Sequence, residues 1–383
     1  MYAIGLMSGT SLDGVDACLV KINLNEEFSI INFITLEYSD KFRAKLMRNL
    51  NKDTAKLDEV SSLNFELGYY FKEAIDKVLE GTLLDYKDIE FVASHGQTIW
   101  HDPKGATPST LQIGEASVIS YLTNIKTVSN FRVMDVAAGG EGAPLVPFSE
   151  YMLYVSKEED LVLLNIGGIS NFTYLPKNAC GKDVIAFDCG PGNIMIDYFT
   201  KKYFNKNYDK SGEIASSGKI IEKLFNALKE DDFILKNPPK STGREKYSVS
   251  FMEELIIKYA LDKEKPNDVV KTITEATVFG IVYNLKKFIP KFNKLIVSGG
   301  GSHNDYIMKR LKEELEIEVL KSDISDSKEA LAFVVLGYQT INNKPSNLIT
   351  VTNAKEEVIL GQITPSPRRK EDFDGSRFKK NRN

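Results

Sequence analysis

Apolar positions fall along this chain in two rhythms, short buried runs and helical stripes, and the two alternate. Tyr2 to Met7 and Ala17 to Ile22 read as strands, joined by Ser8-Gly9-Thr10-Ser11-Leu12-Asp13-Gly14, which has hairpin-loop chemistry. Phe28 to Tyr38 is another β-rich run. Leu67, Tyr70, Phe71, Ala74, Ile75 and Val78 recur at helical spacing from Leu63 on, which predicts an amphipathic helix. Ile89 to Ser94 is a buried strand ending at His95-Gly96-Gln97-Thr98. Leu161 to Ile166 is a nearly all-apolar strand, broken at Gly167-Gly168-Ile169-Ser170-Asn171 and resuming as Phe172 to Leu175. Strand, small-residue turn, strand repeats the opening pattern and suggests two lobes on related plans. Helices are predicted over Ile214 to Leu228, Phe251 to Leu261, Ile273 to Ile289, from Ile307 to Leu315 and over Glu329 to Gln339. A strand at Leu295 to Ser298 feeds Gly299-Gly300-Gly301-Ser302-His303-Asn304. The alternation means an α/β protein.

With 383 residues, the chain has room for two domains of ordinary size. Ala137 to Pro144, rich in Gly, is the expected boundary or hinge, and Arg368 to Asn383, with seven basic and three acidic residues, reads as a disordered tail. A composition of 42% hydrophobic and 27% charged residues is that of a globular protein, and a net charge of -4 gives no reason to expect a nucleic-acid partner. Three cysteines, Cys18, Cys180 and Cys189, with no Cys-x-x-Cys pair, fit a reducing cytoplasm. The N-terminus lacks a basic n-region, and no apolar run approaches the roughly 18 residues that span a membrane. A cytoplasmic protein without membrane partners is expected.

Three strand-to-glycine junctions carry the first chemistry: Gly9-Thr10-Ser11, Gly167-Gly168 and Gly299-Gly300-Gly301. Glycines there let backbone N–H groups converge, and such nests bind phosphate oxygens; tight turns also need glycine. No Gly-x-x-x-x-Gly-Lys-Ser/Thr segment occurs. Val184 to Phe187 then delivers Asp188 to Cys189-Gly190-Pro191-Gly192-Asn193, at the mouth of a sheet, where open α/β sheets hold ligands. Such an acid is either a turn former or a catalyst. His95 and His101, six apart, are open to a metal reading or to a hydrogen-bonded, sugar-contacting one. Arg132 is suited to an anionic group or a surface ion pair. Lys240 and Arg244 have the same ambiguity toward phosphate, and Glu329 is either a sugar contact or a helix-start acid.

The junctions are similar to those of the acetate and sugar kinase, heat-shock ATPase and actin superfamily, with Met7 where its first signature has an acid. One family shares that departure. Met7 to Asp16, His95 to His101, Leu111 to Gly114, Asp135 to Pro147, Asn165 to Asn171, Asp188 to Asn193, Pro238 to Glu245 and Ser298 to Asn304 together resemble anhydro-N-acetylmuramic acid kinase, over residues 1 to about 365. Asn130 and Met134 depart from the family's usual Asp and Arg, and the Ser322 to Lys328 loop is short.

The resemblance implies a two-lobe actin-like ATPase/sugar-kinase fold with a central cleft. Residues 1–140 would form the N-terminal lobe and 141–365 the C-terminal lobe, its last part packing back on the first, with 366–383 as tail. It implies an ATP- and Mg2+-dependent kinase that opens the 1,6-anhydro ring while phosphorylating the 6-oxygen. Asp188 would be the general base. ATP would meet Gly9, Thr10, Ser11, Leu12, Asp13, Gly14, Val15 and Asp16, then Gly167 and Gly168, and Gly299, Gly300 and Gly301. Sugar would meet His95, Gln97, Thr98, Arg132, Gly190, Asn193 and Glu329, with Asp13 or Asp16 holding Mg2+ through water. A homodimer is also implied. Alternatives are a kinase of another 1,6-anhydro sugar such as levoglucosan, and a non-catalytic ATP/sugar-binding regulator.

Overall fold

A computed structural model describes residues 1–9, 12–243, 245–368 and 374. Thr10, Ser11 and Arg244, and most of the segment read as a tail, lie outside the described residues. The described strands are β1 (Tyr2–Met7), β2 (Gly14–Ile22), β3 (Phe28–Glu37), β4 (Ile89–Ser94), β5 (Gln97–Asp102), β6 (Ser109–Ile113), β7 (Thr127–Ser129), β8 (Leu161–Ile166), β9 (Ile169–Leu175), β10 (Ile185–Pro191), β11 (Lys294–Ser298), β12 (Glu318–Lys321) and β13 (Gln362–Thr364). The chain is α/β and divides into two compact units, Met1–Leu153 with the described residues from Ser327 on, and Tyr154–Asp326. The Gly-rich segment 137–144 lies within the first unit.

In the first unit, one sheet runs in the order β13-β7-β4-β1-β2-β3. β1 is antiparallel to β2, β2 to β3, while β4 adds parallel to β1 and β7 parallel to β4. The second unit repeats that plan as β10-β9-β8-β11-β12, antiparallel through β8, β9 and β10 and parallel from β8 to β11 to β12. The echo heard in the sequence is thus a shared strand order. It is the doubled plan that the superfamily resemblance implies.

Side-chain alternation along β1 assigns its two faces. Ile4 and Leu6 enter a core with Leu63, Leu67, Phe71, Ala74, Ile75 and Val78, the apolar stripe of the helix Leu57–Leu79. Between them Gly5 faces the helix Lys328–Ile341, where a Cβ would collide with the Ala330 carbonyl oxygen. Only a glycine permits that approach, which brings the chain's late helix onto its first strand.

In the second unit the helix Pro266–Phe288, begun by proline at its first position, is the spine of the core. It buries Val269, Val270, Ile273, Ile281 and Leu285 against Leu164, Phe172, Phe187 and Phe199.

Two expectations change. The helix predicted over Ile214 to Leu228 is two, Glu213–Ser217 and Glu222–Lys229. Gly218 is extended between them, and the freed amides are taken up elsewhere, Lys219 N by Asp268 Oδ1 at 2.7 Å and Ile221 N by Thr272 Oγ1 at 2.9 Å. Secondly, Asp188 is not in a turn. β10 continues to Pro191, with a register shift between Asp188 and Gly190 that absorbs one residue as a bulge.

Candidate active site

Asp188 stands on β10 just before that bulge, and its backbone N–H donates to Lys240 O at 3.2 Å. This bond ties the strand to the Pro238–Gly243 segment. The same segment returns two donors to the carboxylate, Thr242 N at 2.8 Å and Ser241 Oγ at 3.1 Å, both to Oδ2. Oδ1 has no hydrogen-bond partner among the described residues. Burial pushes the Asp188 carboxyl up to about 6, against the two donors and Lys240, which pull it down, while Glu245 adds like charge.

Lys240, expected to face phosphate or solvent, does neither. It is buried, 6% exposed, with its ammonium donating to Phe233 O at 3.0 Å and Ile234 O at 2.9 Å. The rings of Phe187, Phe233 and Phe288 surround it at 5.2 to 5.9 Å. It is an anchor for the segment that clamps Asp188.

The two glycine turns of the second unit meet. Gly192 N and Asn193 N donate to Gly168 O and Gly167 O, each at 2.8 Å, so the β8–β9 turn is fastened to the start of the helix Asn193–Phe204. Asn193 Nδ2 donates to Ile166 O at 3.0 Å, and a Cβ on Gly300 would lie 3.5 Å from it. Gly299 has φ +79, and a Cβ there would press on Asn165 Oδ1 and Ile166 O at 2.6 and 2.7 Å. Gly301 is packed on Ile166, while Gly168 and Gly300 are exposed. Gly190, also at positive φ, is buried beside Ile234. Thus Gly167, Gly168, Asn193 and Gly299–Gly301 come together within one unit.

In the first unit, Gly9 O accepts from Leu12 N at 3.3 Å and Asp13 O from Tyr38 N at 2.9 Å. Leu12 and Val15 are core residues, so only their backbones face outward, and Gly14 lies against β3, where a Cβ would meet Leu36 O. Asp13 is exposed; Asp16 Oδ1 accepts from Thr35 Oγ1 at 2.6 Å. Ser8 donates to Gln97 Oε1 at 2.6 Å and lies 2.8 Å from the Tyr38 hydroxyl. Ser8 has one proton to give, so Tyr38 is the donor in the second bond. Gln97 is thereby buried and occupied, while Thr98 Oγ1 accepts from Gln112 at 3.2 Å.

His95 and Arg132 form a pair. Arg132 Nε donates to His95 Nε2 at 3.0 Å, and Nη1 donates to Gly142 O at 2.7 Å. Desolvation holds the His95 imidazole down to about 3, with the guanidinium adding to it. His101 Nδ1 lies 3.0 Å from Thr110 Oγ1 instead, and both ring nitrogens of His95 are engaged, with Arg132 Nε and Gly96 O, so His95 has no nitrogen left for a metal. Burial lowers the Arg132 guanidinium to about 10, opposed by Glu329 and Asp135. Glu329 keeps an exposed surface, and desolvation together with the charge of Asp16 holds its carboxyl above the usual carboxylate range. Glu329 therefore interacts electrostatically with both Asp16 and Arg132.

Asp135 escaped the sequence reading. It is fully buried and accepts from Gly142 N at 2.7 Å, Thr352 Oγ1 at 2.7 Å and Asn347 Nδ2 at 2.9 Å. The Gly-rich segment read as a hinge is pinned by it. A glycine at 140 is the signal that was available, since a Cβ there would strike the Asp135 carboxylate.

The family profile and the sequence relatives agree in one direction. The profile of the anhydro-N-acetylmuramic acid kinase family matches residues 1–366. The anhydro-N-acetylmuramic acid kinase of Clostridioides difficile (strain 630) is 48% identical over 382 residues, covering 96% of this chain and 99% of that one. That of Francisella tularensis subsp. novicida (strain U112) is 42% identical over 375 residues, covering 94% and 98%. Among solved structures, component A of the (R)-2-hydroxyglutaryl-CoA dehydratase of Acidaminococcus fermentans is similar over 93% of this chain and 100% of that one, at 11% identity and a TM-score of 0.47. No described helix is long and apolar enough to cross a membrane. With a match over nearly its whole length and close to half of its residues shared with a relative, the chain belongs to the anhydro-N-acetylmuramic acid kinase family.

Proposed function

We propose that this protein uses ATP to open the 1,6-anhydro bond of 1,6-anhydro-N-acetylmuramic acid and phosphorylate its 6-oxygen, giving N-acetylmuramic acid 6-phosphate and ADP for reuse of cell-wall sugar. The observation that carries the reading is the Asp188 carboxylate, with Oδ2 clamped by Thr242 and Ser241 and Oδ1 left to act. Water attacks the anomeric carbon and loses its proton to Asp188. The bond from that carbon to the 6-oxygen breaks, and the 6-oxygen takes the γ-phosphoryl group. An inverting glycosidase needs a second carboxyl to protonate the departing oxygen; here phosphoryl transfer replaces it. A base with pKa near 6 is ionised at neutral pH and still able to take a proton from water attacking a cation-like carbon.

For ATP this reading uses the backbone of Gly9 and of Leu12 to Asp16, with Thr10 and Ser11 between them in sequence, and the glycines Gly167, Gly168 and Gly299 to Gly301. Arg132, whose Nη2 is not used by His95 or Gly142, faces the lactyl carboxylate, a group that levoglucosan lacks. Glu329, His95, Gln97, Thr98, Gly190 and Asn193 complete the sugar contacts, Gln97 through Ser8 and His95 through Arg132. Asp13 or Asp16 would hold Mg2+ through water, since this ion keeps its waters and needs only one or two carboxylates besides phosphate; bound there it would neutralise phosphate charge. The cytoplasm and a homodimer are the compartment and assembly that go with this reading.

The test is turnover of purified 1,6-anhydro-N-acetylmuramic acid with ATP in 18O-water. Label is expected at the anomeric carbon; label in the phosphoryl group rejects the mechanism. Faster turnover of levoglucosan would move the assignment to that sugar. Binding of both ligands without turnover would favour a regulator.

A further inference from the structure

Asp197 has no role in the reading above. It follows Asn193 by four residues on the helix Asn193–Phe204, so the two side chains share a face, about 6 Å apart along the axis. Both line a cavity of about 520 Å³ within the second unit, with Gly300, Tyr208, Lys210 and His303. The neighbouring acid in the cavity, Asp209, is spent on Ile214 N at 2.9 Å and Ala215 N at 3.0 Å. Asp197 makes no hydrogen bond or ion pair with any described residue. Burial without a donor pushes it up to about 6, which leaves it mostly ionised at neutral pH.

We infer that Asp197 is the nucleotide-specificity residue of this site, its two carboxylate oxygens accepting the 2′- and 3′-hydroxyls of ribose. The inference rests on the ATP reading of the Gly167–Gly168 and Gly299–Gly301 turns. Position and chemistry both lead there. Ribose joins base to phosphates, so its binding group belongs in the cavity that borders the ATP glycines, and Asp197 shares its cavity with Gly300. A carboxylate offers two adjacent acceptors and a vicinal diol two adjacent donors. The adenine edge, an amino donor beside a ring-nitrogen acceptor, would place a lone pair against the carboxylate. The guanine edge offers two donors and is the chemical competitor.

Calorimetry with ADP, 2′-deoxy-ADP, 3′-deoxy-ADP and GDP separates the possibilities on the unmodified protein. ADP is expected to bind about 10- to 100-fold more tightly than either deoxy analogue, the size of a lost charge-assisted hydrogen bond. Asp197→Asn and Asp197→Ala should weaken ADP by a similar factor and level the three adenine nucleotides. Equal binding of ADP and its deoxy analogues, or discrimination surviving in both variants, overturns the role of Asp197 alone. Preference for GDP, lost in the variants, moves the carboxylate to the base and overturns the diol assignment. Failure of the unmodified protein to bind any of the four rejects the nucleotide reading itself, and Asp197 with it.

Discussion

Arg132 donates its Nε–H to His95 Nε2 at 3.0 Å, and this bond sets the charge of the histidine. A ring nitrogen that accepts from a guanidinium has no proton of its own. The remaining proton is therefore on Nδ1, which donates to Gly96 O at 2.8 Å. His95 is a neutral, fixed spacer that orients the guanidinium, and it is no general acid or base near neutrality. Nitrogen-15 NMR should show the Nδ1–H tautomer unchanged from pH 5 to 8; a titration in that range contradicts the arrangement.

Asp188→Asn keeps the acceptor for Thr242 and Ser241 but removes the proposed base. Turnover should fall by roughly two or more orders of magnitude with nucleotide affinity unchanged. Near-normal turnover would remove Asp188 from the chemistry.

The same carboxyl predicts two pH dependences of opposite sense. As a base it works ionised, so kcat/KM should rise through about pH 6 and level above it. As a folded-state group raised from 3.8 to about 6, it binds its proton more tightly when folded. Its stabilising share is complete below about pH 4 and is lost as pH rises through 6. After allowance for solvent screening the loss is about 1–2 kcal/mol. Asp188→Asn should therefore melt higher than the parent at pH 8 by about 2–6 °C, and equally at pH 4. Melting curves at the two pH values decide it.

Lys240→Met removes an ammonium buried at 6% exposure from two carbonyls and three rings. About 1–3 kcal/mol of stability should go, read by urea unfolding. The positive charge also lowers the Asp188 carboxyl, alongside Thr242 and Ser241 and against Glu245, so the acid limb of kcat/KM should move above its parental position. Lys240→Arg should restore the limb more than the stability, because a guanidinium keeps the charge and not the fit. An unmoved limb in Lys240→Met denies the link between segment and base.

The strands Tyr2–Met7 and Ile89–Ser94 were legible because their middles, Ala3 to Leu6 and Phe91 to Ala93, are buried on both faces and carry small or apolar residues. The hairpin β5–β6 was not, since Thr98, Trp100, Leu111 and Gln112 are only half covered and mix polar with apolar. The helix Asn193–Phe204 was missed because the Gly-Pro-Gly before it reads as loop, whereas Gly192 is its entry. Asp188 could be found as an acid at a strand end, but its donors come from Ser241 and Thr242, more than fifty residues later, and no local pattern carries such a pairing. Asp197 drew no attention in the sequence, because the helix that carries it was missed and its cavity is formed with residues as distant as Gly300 and His303.

The contact of Gly5 with the Ala330 carbonyl also constrains how the protein is made. A chain emerging from the ribosome presents residues 1–153 first, but the sheet of that unit lacks one of its covering helices until residue 341 has been synthesised. The second unit is continuous and complete at residue 326. Although domains near the N-terminus ordinarily mature first, here the later-born unit is free to fold while the earlier one still holds an uncovered β1. The polypeptide's oldest strand is buried by one of its youngest helices, so any pause or truncation before residue 328 strands an open sheet face in the cell.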